Sequence, residues 1–411
     1  MSYRAISFLA AWGMFGWGGC GGIGEVDAEG LESQMAQAQL VAAAAFGDPL
    51  PGLTQDQLAL FDDGKTTFQE EETPADGLGP VFNDIACAGC HLGPAVGGTN
   101  GRLETRFGRL NDDGTFNPLA ELGGSLIQVS GIGPEPPDCN YVGEVVPPEA
   151  TIQTGRRTTP LFGFGLVDAV PEARLRAVAA VEAEAFPEQA GQVSEVTNPD
   201  TGQPAVGKFG WKAQVPTLHA FSGDAYLNEM GITNPSFPNE SCPQGDCALL
   251  RCNPRPDLND DGADVNKFTD FMTFLGAPPR GPGAVSLRAI AGAIVFVQIG
   301  CANCHLPVLR TGSSSIAALD HKLFAPFSDF LLHDMGSLGD GITQNQATGR
   351  LMRTAPLWGV RAETSLLHDG RASTIPDAIL AHDGQGARAR DNFARLGDGA
   401  RADLLTFLGS L

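Results

Sequence analysis

Basic residues are scarce in this chain, which has 26 Lys and Arg against 48 Asp and Glu and a net charge of −22 at neutral pH. An acidic chain is repelled by nucleic-acid phosphates and by anionic membrane surfaces. We therefore expect no nucleic-acid partner. The same charge favours a basic soluble partner, and it also promotes solubility.

Long apolar runs are also missing: beyond residue 20 nothing reaches the about 20 apolar residues that a transmembrane helix needs. The amino terminus has a different pattern, in which Arg4 precedes an apolar stretch over residues 5–17 and small residues lead to Cys20. This order is typical of an export signal. We predict a signal peptide over residues 1–20 and a periplasmic protein. Cys20 is either an ordinary residue near the cleavage point or the lipid anchor of a membrane-attached lipoprotein.

Histidine is rare, with seven in 411 residues, yet two of the seven end a repeated pattern. The two matches to Cys-x-x-Cys-His are Cys87, Cys90 and His91, and Cys301, Cys304 and His305. This pattern is the attachment signature of c-type haem, in which two thiols reach one porphyrin and the adjacent imidazole binds the iron. Redox dithiols or zinc half-sites are the alternatives, although neither motif has the second ligand pair of a closed zinc site. The sequence predicts two covalently bound haem c groups.

The remaining cysteines suit an exported protein. Setting aside Cys20 and the four motif cysteines, the nine cysteines leave Cys139, Cys242, Cys247 and Cys252. An even remainder is consistent with two disulfides, for which three connectivities are open. Because the last three cysteines are crowded together, we expect at least one local bridge.

The composition predicts two or three compact units joined by long loops. Hydrophobic residues make up 42% of the chain, which is enough for sizeable cores, while 53 Gly and 29 Pro exceed typical usage. Helical patterns are present at 35–61, after Pro171, at 286–298 and at 401–411. Loops are expected over 93–160, and a disulfide-stapled insertion over 195–265.

The Gly- and Pro-rich segment at 276–284 is the clearest linker. We place a domain boundary there. An amino-terminal haem domain with loop-rich insertions then covers residues 21–275, and a carboxy-terminal haem domain covers 285–411.

Seven short segments accompany the two motifs in a fixed order. They are GPVFN (79–83), RTTPLFGFGL (157–166), FGWKA (209–213), NEMGIT (228–233), LLHDMG (331–336), RTAPLWG (353–359) and LHDGR (367–371). Together with the motifs, this order resembles the exported di-haem oxidoreductases of peroxidase type, which are relatives of bacterial di-haem cytochrome c peroxidase. The resemblance covers about residues 45–411. It implies a mainly α fold, with two cytochrome c-like haem domains and long Gly/Pro-rich loops.

The resemblance also suggests the second axial ligand of the second haem. His382 lies where peroxidase relatives usually carry a Met ligand, at a similar distance after the second motif. We therefore expect His305 and His382 on one iron, which lowers its potential relative to a His/Met iron. Met335 and His333 are the rival ligands, and a surface histidine is the alternative reading of His382.

The first haem is expected to have an open coordination position. No His lies between His91 and His219, so the distal His that peroxidase relatives place soon after the first motif is missing. Hydrogen peroxide or another small oxidant would bind there.

The segment after residue 211 resembles the peroxidase stretch that supplies an inter-haem Trp and a distal carboxylate. The resemblance implies Trp211 and Glu229 as catalytic residues; a core Trp and a helix-end Glu are the alternatives. A distal carboxylate takes a proton from hydrogen peroxide and returns it to the departing oxygen. Phe221 stands where relatives usually have Gln, which implies a drier pocket.

Two further features are candidates for binding. Arg157 and Arg353 lie in the family segments and suit bidentate contacts with haem propionates, with surface ion pairing as the alternative. The acidic run at 257–264 resembles the start of an EF-hand loop, but Phe268 replaces the closing Glu. We expect a turn in that run, with calcium binding as the alternative.

Three functional hypotheses follow from these observations. The first is an exported enzyme that reduces hydrogen peroxide at the first haem with electrons from the second, supplied by a small cytochrome c or cupredoxin. The second is a peroxide- or oxygen-dependent oxidase or oxygenase that acts on an organic or protein substrate. The third is a non-catalytic electron-transfer cytochrome, which predicts two protein ligands on each iron.

Overall fold

The computed structural model describes residues 34, 42–134, 140–253 and 255–411, so the predicted signal peptide and Cys20 lie outside the described residues. Nine α-helices lie within the described ranges. In chain order they are α1 (Gln55–Thr67), α2 (Phe164–Asp168), α3 (Glu172–Ala185), α4 (Leu218–Met230), α5 (Ala263–Phe274), α6 (Leu287–Gln298), α7 (Ile375–Leu380), α8 (Ala387–Ala394) and α9 (Asp398–Leu408). In this part of the chain, no helix combines the length and apolar character needed to cross a membrane.

Thirteen short strands in the described ranges form six antiparallel sheets. The strands are β1 (Val81–Phe82), β2 (Leu103–Leu110), β3 (Phe116–Asn117), β4 (Ser130–Gly131), β5 (Gly133–Pro134), β6 (Asn140–Tyr141), β7 (Ile152–Arg157), β8 (Ser194–Thr197), β9 (Pro204–Gly207), β10 (Leu309–Arg310), β11 (Leu323–Phe324), β12 (Leu332–Asp334) and β13 (Leu351–Arg353). One sheet has three strands in the order β3-β2-β7, and the other five are pairs.

The prediction of a mainly α fold with two cytochrome c-like domains is wrong. The structure is 33% helical and 15% strand, with several small sheets. The longest pairing joins β2 to β7, from Leu103 opposite Arg157 to Gly108 opposite Ile152. These partners are far apart along the chain, and their pairing depends on contacts across the fold rather than on a local pattern. The Gly- and Pro-rich sequence around them therefore predicted loops where the structure has a sheet.

The predicted insertion at 195–265 contains its local disulfide, but the prediction that it is a surface region is wrong. This region contains the hairpin of β8 and β9 and all of α4, and Leu218, Tyr226 and Met230 are buried in the main core. The last three residues of the range begin α5, whose buried Val265, Phe268 and Met272 recur at helical spacing. The region is therefore part of the packed structure.

The main core lies between α1 and α5, next to the first Cys-x-x-Cys-His motif. α1 begins with a capping box, in which Thr54 accepts from the Gln57 N–H and the Gln57 side chain accepts from the Thr54 N–H. Of the predicted helix at 35–61, residues 35–41 lie outside the described residues, residues 42–54 are not helical, and the part from Gln55 onwards forms α1. The Phe68 ring lies 4.9 Å from the Phe271 ring and 5.9 Å from the His91 ring, which joins the core to the motif.

A second core joins α6 to α9, and both helices are close to prediction. Ser286 caps α6 by accepting from the Ala289 N–H. The helices approach so closely that a Cβ on Gly292 would lie 2.0 Å from the Asp403 carbonyl oxygen. Phe296 and Phe407 meet edge to face across this contact, with ring centres 5.4 Å apart. α6 leads directly into the second Cys-x-x-Cys-His motif.

Packing crosses the predicted linker at 276–284. The main core includes Leu306, Phe324 and Phe330, which follow the linker, together with residues that precede it. The domain boundary remains a prediction. The two halves share buried surface, so the second motif is enclosed by residues from both.

The predicted local disulfide is confirmed between Cys242 and Cys247, whose Cα atoms lie 4.5 Å apart. Cys139 lies outside the described residues, and so does the side chain of Cys252. The second predicted bridge therefore stays a prediction.

A buried ion network ties β7 to the segment that carries Trp211. Asp340 accepts from Arg156 Nε at 2.8 Å and from Lys212 Nζ at 2.7 Å, and the Lys212 side chain is fully buried. Burial lowers the pKa of Lys212 to about 8. Burial alone would raise the pKa of Asp340, but the charges of Arg156 and Lys212 lower it. Lys212 Nζ also donates to the Leu351 carbonyl at 2.7 Å, so the network fixes β13 as well.

Replacing Asp340 with Asn should destabilise the folded protein by about 3–5 kcal/mol, because two buried cations lose their counter-charge. Urea denaturation of the haem-loaded protein would measure the change in the free energy of unfolding. Glu195→Gln is the matched control, since it removes an exposed ion pair with Arg176 and should cost less than about 1 kcal/mol. Equal effects of the two substitutions would contradict this role for Asp340.

Candidate functional site

The first motif forms a tight 3₁₀ turn over Cys87–Gly89. The backbone N–H groups of Cys90 and His91 both donate to the Cys87 carbonyl, at 3.2 and 3.1 Å. A Cβ on Gly89 would lie 2.4 Å from the carboxyl group of Asp84, so the turn packs closely against that side chain. Both thiols and the imidazole are therefore held within one turn.

His91 is oriented so that one ring nitrogen remains available. Its Nδ1 lies 3.0 Å from the Gly98 carbonyl oxygen, which only a protonated nitrogen can donate to. Burial lowers the pKa of His91 to about 4, so the imidazole is neutral at pH 7. The neutral ring then carries its lone pair on Nε2, the form that binds a metal ion.

The second motif repeats this geometry. Gly300, at a φ of +94°, follows α6 and begins the 3₁₀ turn Cys301–Asn303, and the His305 N–H donates to the Cys301 carbonyl at 2.9 Å. His305 Nδ1 lies 3.0 Å from the Phe327 carbonyl oxygen. Burial is the main reason that the pKa of His305 falls to about 4. His305 is thus also a neutral imidazole with Nε2 available.

His382 faces His305 across the second motif. It follows α7, and its Nδ1 lies 2.8 Å from the Ala378 carbonyl oxygen, which leaves its Nε2 free as well. The two ring centres are 6.4 Å apart. Two imidazoles on opposite sides of one metal ion should have ring centres about 6.2 Å apart, given metal–nitrogen bonds of about 2 Å and about 1.1 Å from each nitrogen to its ring centre. The pair has the spacing of two axial ligands.

The two rival ligands are arranged differently. His333 uses both ring nitrogens, with Nε2 at 3.0 Å from the Asp329 carboxylate and Nδ1 at 3.1 Å from the Gln189 carbonyl oxygen. Met335 lines the same cavity as His382. The geometry favours His382 over His333.

A cavity of about 250 Å³ lies beside the second motif, and His305 is one of the residues that line it. Residues from both halves of the chain line it, among them Arg157, Trp211, Cys304, Arg353, His368 and His382. The indole Nε1 of Trp211 donates to the Arg157 carbonyl at 2.8 Å, and the Arg353 N–H donates to the Trp211 carbonyl at 2.9 Å. Trp211 is therefore a rigid part of the wall at the second motif.

Glu229 lies at the first motif, at the carboxyl end of α4. Its Oε2 accepts from Asn83 Nδ2 at 2.7 Å, and its backbone carbonyl accepts from the Asn83 N–H at 2.7 Å. Burial is the main reason that the pKa of Glu229 rises to about 7, and the Glu104 carboxylate raises it further. The charge of Glu229 in turn raises the pKa of Cys90. The two predicted catalytic residues thus belong to different motifs, Glu229 to the first and Trp211 to the second.

The family model described as "Di-haem oxidoreductase, putative peroxidase" matches residues 148–411, which is more than half of the chain. The chain belongs to the di-haem oxidoreductase family. No curated protein sequence matches it significantly. Among solved structures, hydrazine synthase from Kuenenia stuttgartiensis, pressurized with 20 bar xenon, is similar over 96% of each chain, at 14% identity and a TM-score of 0.39. A likeness this weak says nothing about activity.

The donor atoms at both motifs fit the haems of a di-haem oxidoreductase. Each motif offers a neutral imidazole with a free Nε2. Burial raises the pKa of Cys87 to about 12 and that of Cys301 to about 12, so both are neutral thiols. Reactive redox thiols instead have a lowered pKa. The raised values therefore disfavour a redox dithiol, while the argument against a closed zinc site remains that neither motif has a second ligand pair.

One other group of side chains in the described ranges could hold a metal ion. Atoms of Cys304, Asp329 and His333 lie within 4.8 Å of one another. A structural zinc site needs four ligands, and here His333 already uses both nitrogens within the protein. We interpret Asp329 and His333 as residues that hold Cys304 of the second motif in position.

Arg157 and Arg353 are both in the wall of the cavity at the second motif. Arg157 forms an ion pair with Glu363, but its Nε has no hydrogen-bond partner among the described residues. Arg353 donates from Nε to the Gly210 carbonyl at 2.7 Å and forms no ion pair in the described ranges. Burial lowers the pKa of Arg353 to about 10. Two buried guanidinium groups beside one cavity fit the anionic propionates of a haem.

The acidic run at 257–264 has the geometry of a helix cap. The carboxylate of Asp260 accepts from the N–H groups of Asp264 at 3.2 Å and Val265 at 3.3 Å, at the start of α5. The side chain of Asn259 accepts from the Thr233 N–H at 3.0 Å. This supports the turn that we expected, and calcium binding remains an untested alternative.

Three charged residues near Glu229 were not predicted from the sequence. Glu104 and Arg106 form an ion pair on β2, and Arg106 and Asp224 both influence the pKa of Glu229. Burial raises the pKa of Asp224 itself to about 6. The only local signal is the alternation of charged side chains along β2, because the contact with α4 joins residues more than 100 positions apart.

Proposed function

We propose that this chain is an exported di-haem enzyme that reduces hydrogen peroxide at its first motif with electrons passed from its second. The observation that supports the proposal best is Glu229. A carboxyl group with a pKa near 7 exchanges a proton readily at neutral pH, which is the requirement for general acid–base catalysis. Its hydrogen bond to Asn83, four residues before Cys87, holds it beside the first motif.

In this proposal the two motifs have different tasks. Haem attached through both cysteines of each motif would supply electron transfer and, at the first motif, a position where peroxide binds. Glu229 accepts a proton from one peroxide oxygen and returns it to the other, which leaves as water. With two electrons and two protons, one peroxide molecule gives two water molecules. His382 would complete the second centre and keep peroxide from binding there.

The electron donor in this proposal is a small basic protein. The net charge of −22 favours such a partner through electrostatic attraction. A small cytochrome c or a cupredoxin has suitable redox chemistry. Export to the periplasm through the segment at 1–20, with or without a lipid anchor at Cys20, would bring the enzyme and this donor together.

The direct test uses the mature protein, produced in a host that matures c-type cytochromes. We expect a mass that includes two covalently bound haems, an electron paramagnetic resonance spectrum with one high-spin and one low-spin ferric haem, and peroxide-dependent oxidation of reduced cytochrome c. Two low-spin haems without turnover would support a simple electron carrier instead. Turnover that depends on an organic substrate, detected by product analysis, would support an oxidase or oxygenase.

A further inference from the structure

His368 is a buried histidine that the peroxide chemistry above does not use. Its side chain is 3% exposed and lines the cavity at the second motif. Its Nε2 has no hydrogen-bond partner among the described residues. The nearest carboxylate oxygen, on Asp369, is 3.9 Å away, which is too far for a hydrogen bond. A polar atom buried in this way normally has a partner.

The backbone around His368 is held in an unusual conformation. Leu367 has a φ of +72°, in the left-handed region that L-residues with side chains rarely adopt, and Gly370 has a φ of +73°. The His368 carbonyl accepts from the Arg157 N–H at 2.6 Å, and the Leu366 N–H donates to the Ala372 carbonyl at 2.8 Å. Strain of this kind persists where the surrounding structure fixes a functional side chain. The turn fixes His368 directly against Arg157.

The two guanidinium groups beside this cavity are incompletely paired: Arg157 has Glu363 as its counter-charge, and Arg353 donates to the carbonyls of Gly210 and Thr354. Arg157 Nε has no partner, and Arg353 forms no ion pair in the part of the chain that the structure describes. The imidazole of His368 also contacts the Trp211 ring edge to face, with ring centres 6.2 Å apart. The charged groups that influence the pKa of His368 are the carboxylates of Asp369 and Asp340, which raise it, and the guanidinium groups of Arg371 and Arg156, which lower it. Buried donors without an acceptor are costly unless a bound group supplies one.

We propose that His368 donates a hydrogen bond from Nε2 to a propionate of the second haem and closes an anion site with Arg157 and Arg353. This inference rests on the haem of the proposed function. A propionate carboxylate has enough lone pairs to accept from both guanidinium groups and from the imidazole. His368 then connects the edge of Trp211 to the haem periphery, and it acts as a positioning residue rather than a catalytic one.

The test compares His368→Leu with His368→Gln in the full haem-loaded protein. Leu removes the donor, while Gln keeps an N–H group that can reach the same carboxylate. We expect Leu to shift the propionate bending band of the second haem in resonance Raman spectra and to lower its midpoint potential, because a propionate without its donor stabilises ferric iron. Gln should restore both values towards those of the unchanged protein.

The control is His321→Leu, since the His321 side chain is 58% exposed and its Nε2 hydrogen-bonds only to Ser313 within the described residues. This variant should leave the Raman band and the potential unchanged. An unchanged band and potential in His368→Leu would overturn the inference, and so would equal shifts in the Leu and Gln variants. Covalent haem is counted separately in each preparation by its pyridine haemochrome spectrum. A missing second haem would therefore count against the proposed function and be distinguished from failure at His368.

Discussion

Replacing Glu229 with Gln is expected to lower kcat/KM for hydrogen peroxide by about 10²–10⁴-fold at pH 7, which is the usual contribution of a positioned general base. Gln has nearly the same shape and can still accept the hydrogen bond from Asn83, but it cannot take a proton. Steady-state oxidation of reduced cytochrome c would measure the loss. Haem content and the ferric spectrum should stay the same, because the fold and both motifs are untouched.

The pH dependence separates this role from a structural one. Burial raises the pKa of Glu229 to about 7, so the proton-accepting form is lost as the pH falls through that value. The peroxidase rate of the unchanged protein should therefore rise with pH around neutrality and level off above it. The Gln variant should lack this limb. A limb that persists in Glu229→Gln would assign the titration to another group.

Glu104→Gln is a matched control at the same cluster. The carboxylate of Glu104 is the largest electrostatic contribution that raises the pKa of Glu229. Removing its charge should move the rising limb to lower pH and leave the plateau rate unchanged. Loss of the plateau rate in this variant would place the catalytic proton on Glu104 instead.

Sequence patterns identified what is local in this protein. Both Cys-x-x-Cys-His motifs form the same 3₁₀ turn, and in each the His donates from Nδ1 to a carbonyl at 3.0 Å. The helices α3, α6 and α9 lie where the apolar periodicity of the sequence predicts them. The disulfide between Cys242 and Cys247 likewise forms between cysteines that are close together in the sequence. Each of these features depends on residues a few positions apart, so the local sequence is enough to predict it.

Features that depend on distant residues were not visible in the sequence. The pairing of β2 with β7 and the contact of β2 with α4 join segments that the Gly- and Pro-rich composition presented as loops. The lack of a hydrogen-bond partner for Nε2 of His368 among the described residues is likewise apparent only from the folded structure, in which this atom is buried. The resemblance supplied Trp211 and Glu229, but not the fact that they lie at different motifs. In the proposed function, that separation places proton transfer at the first motif and Trp211 in the cavity wall at the second.

Replacing His382 with Ala is expected to convert the second ferric haem from low spin to high spin. The His305 and His382 rings are 6.4 Å apart, the spacing of two ligands on one iron, and each Nδ1 is fixed by a carbonyl. Removing one imidazole leaves the iron with five ligands, which is a high-spin arrangement. Electron paramagnetic resonance of the ferric protein would show two high-spin signals in place of one, and the reduced protein should bind carbon monoxide at the second haem.

Met335→Ala decides between the two candidate ligands. If His382 is the ligand, this substitution leaves the low-spin signal intact, because Met335 only lines the cavity beside it. Near-infrared magnetic circular dichroism of the unchanged protein should then show a His/His iron rather than a His/Met iron. A low-spin signal that survives in His382→Ala and disappears in Met335→Ala would reverse the assignment. It would also raise the expected potential of the second haem, since Met in place of His stabilises the ferrous state.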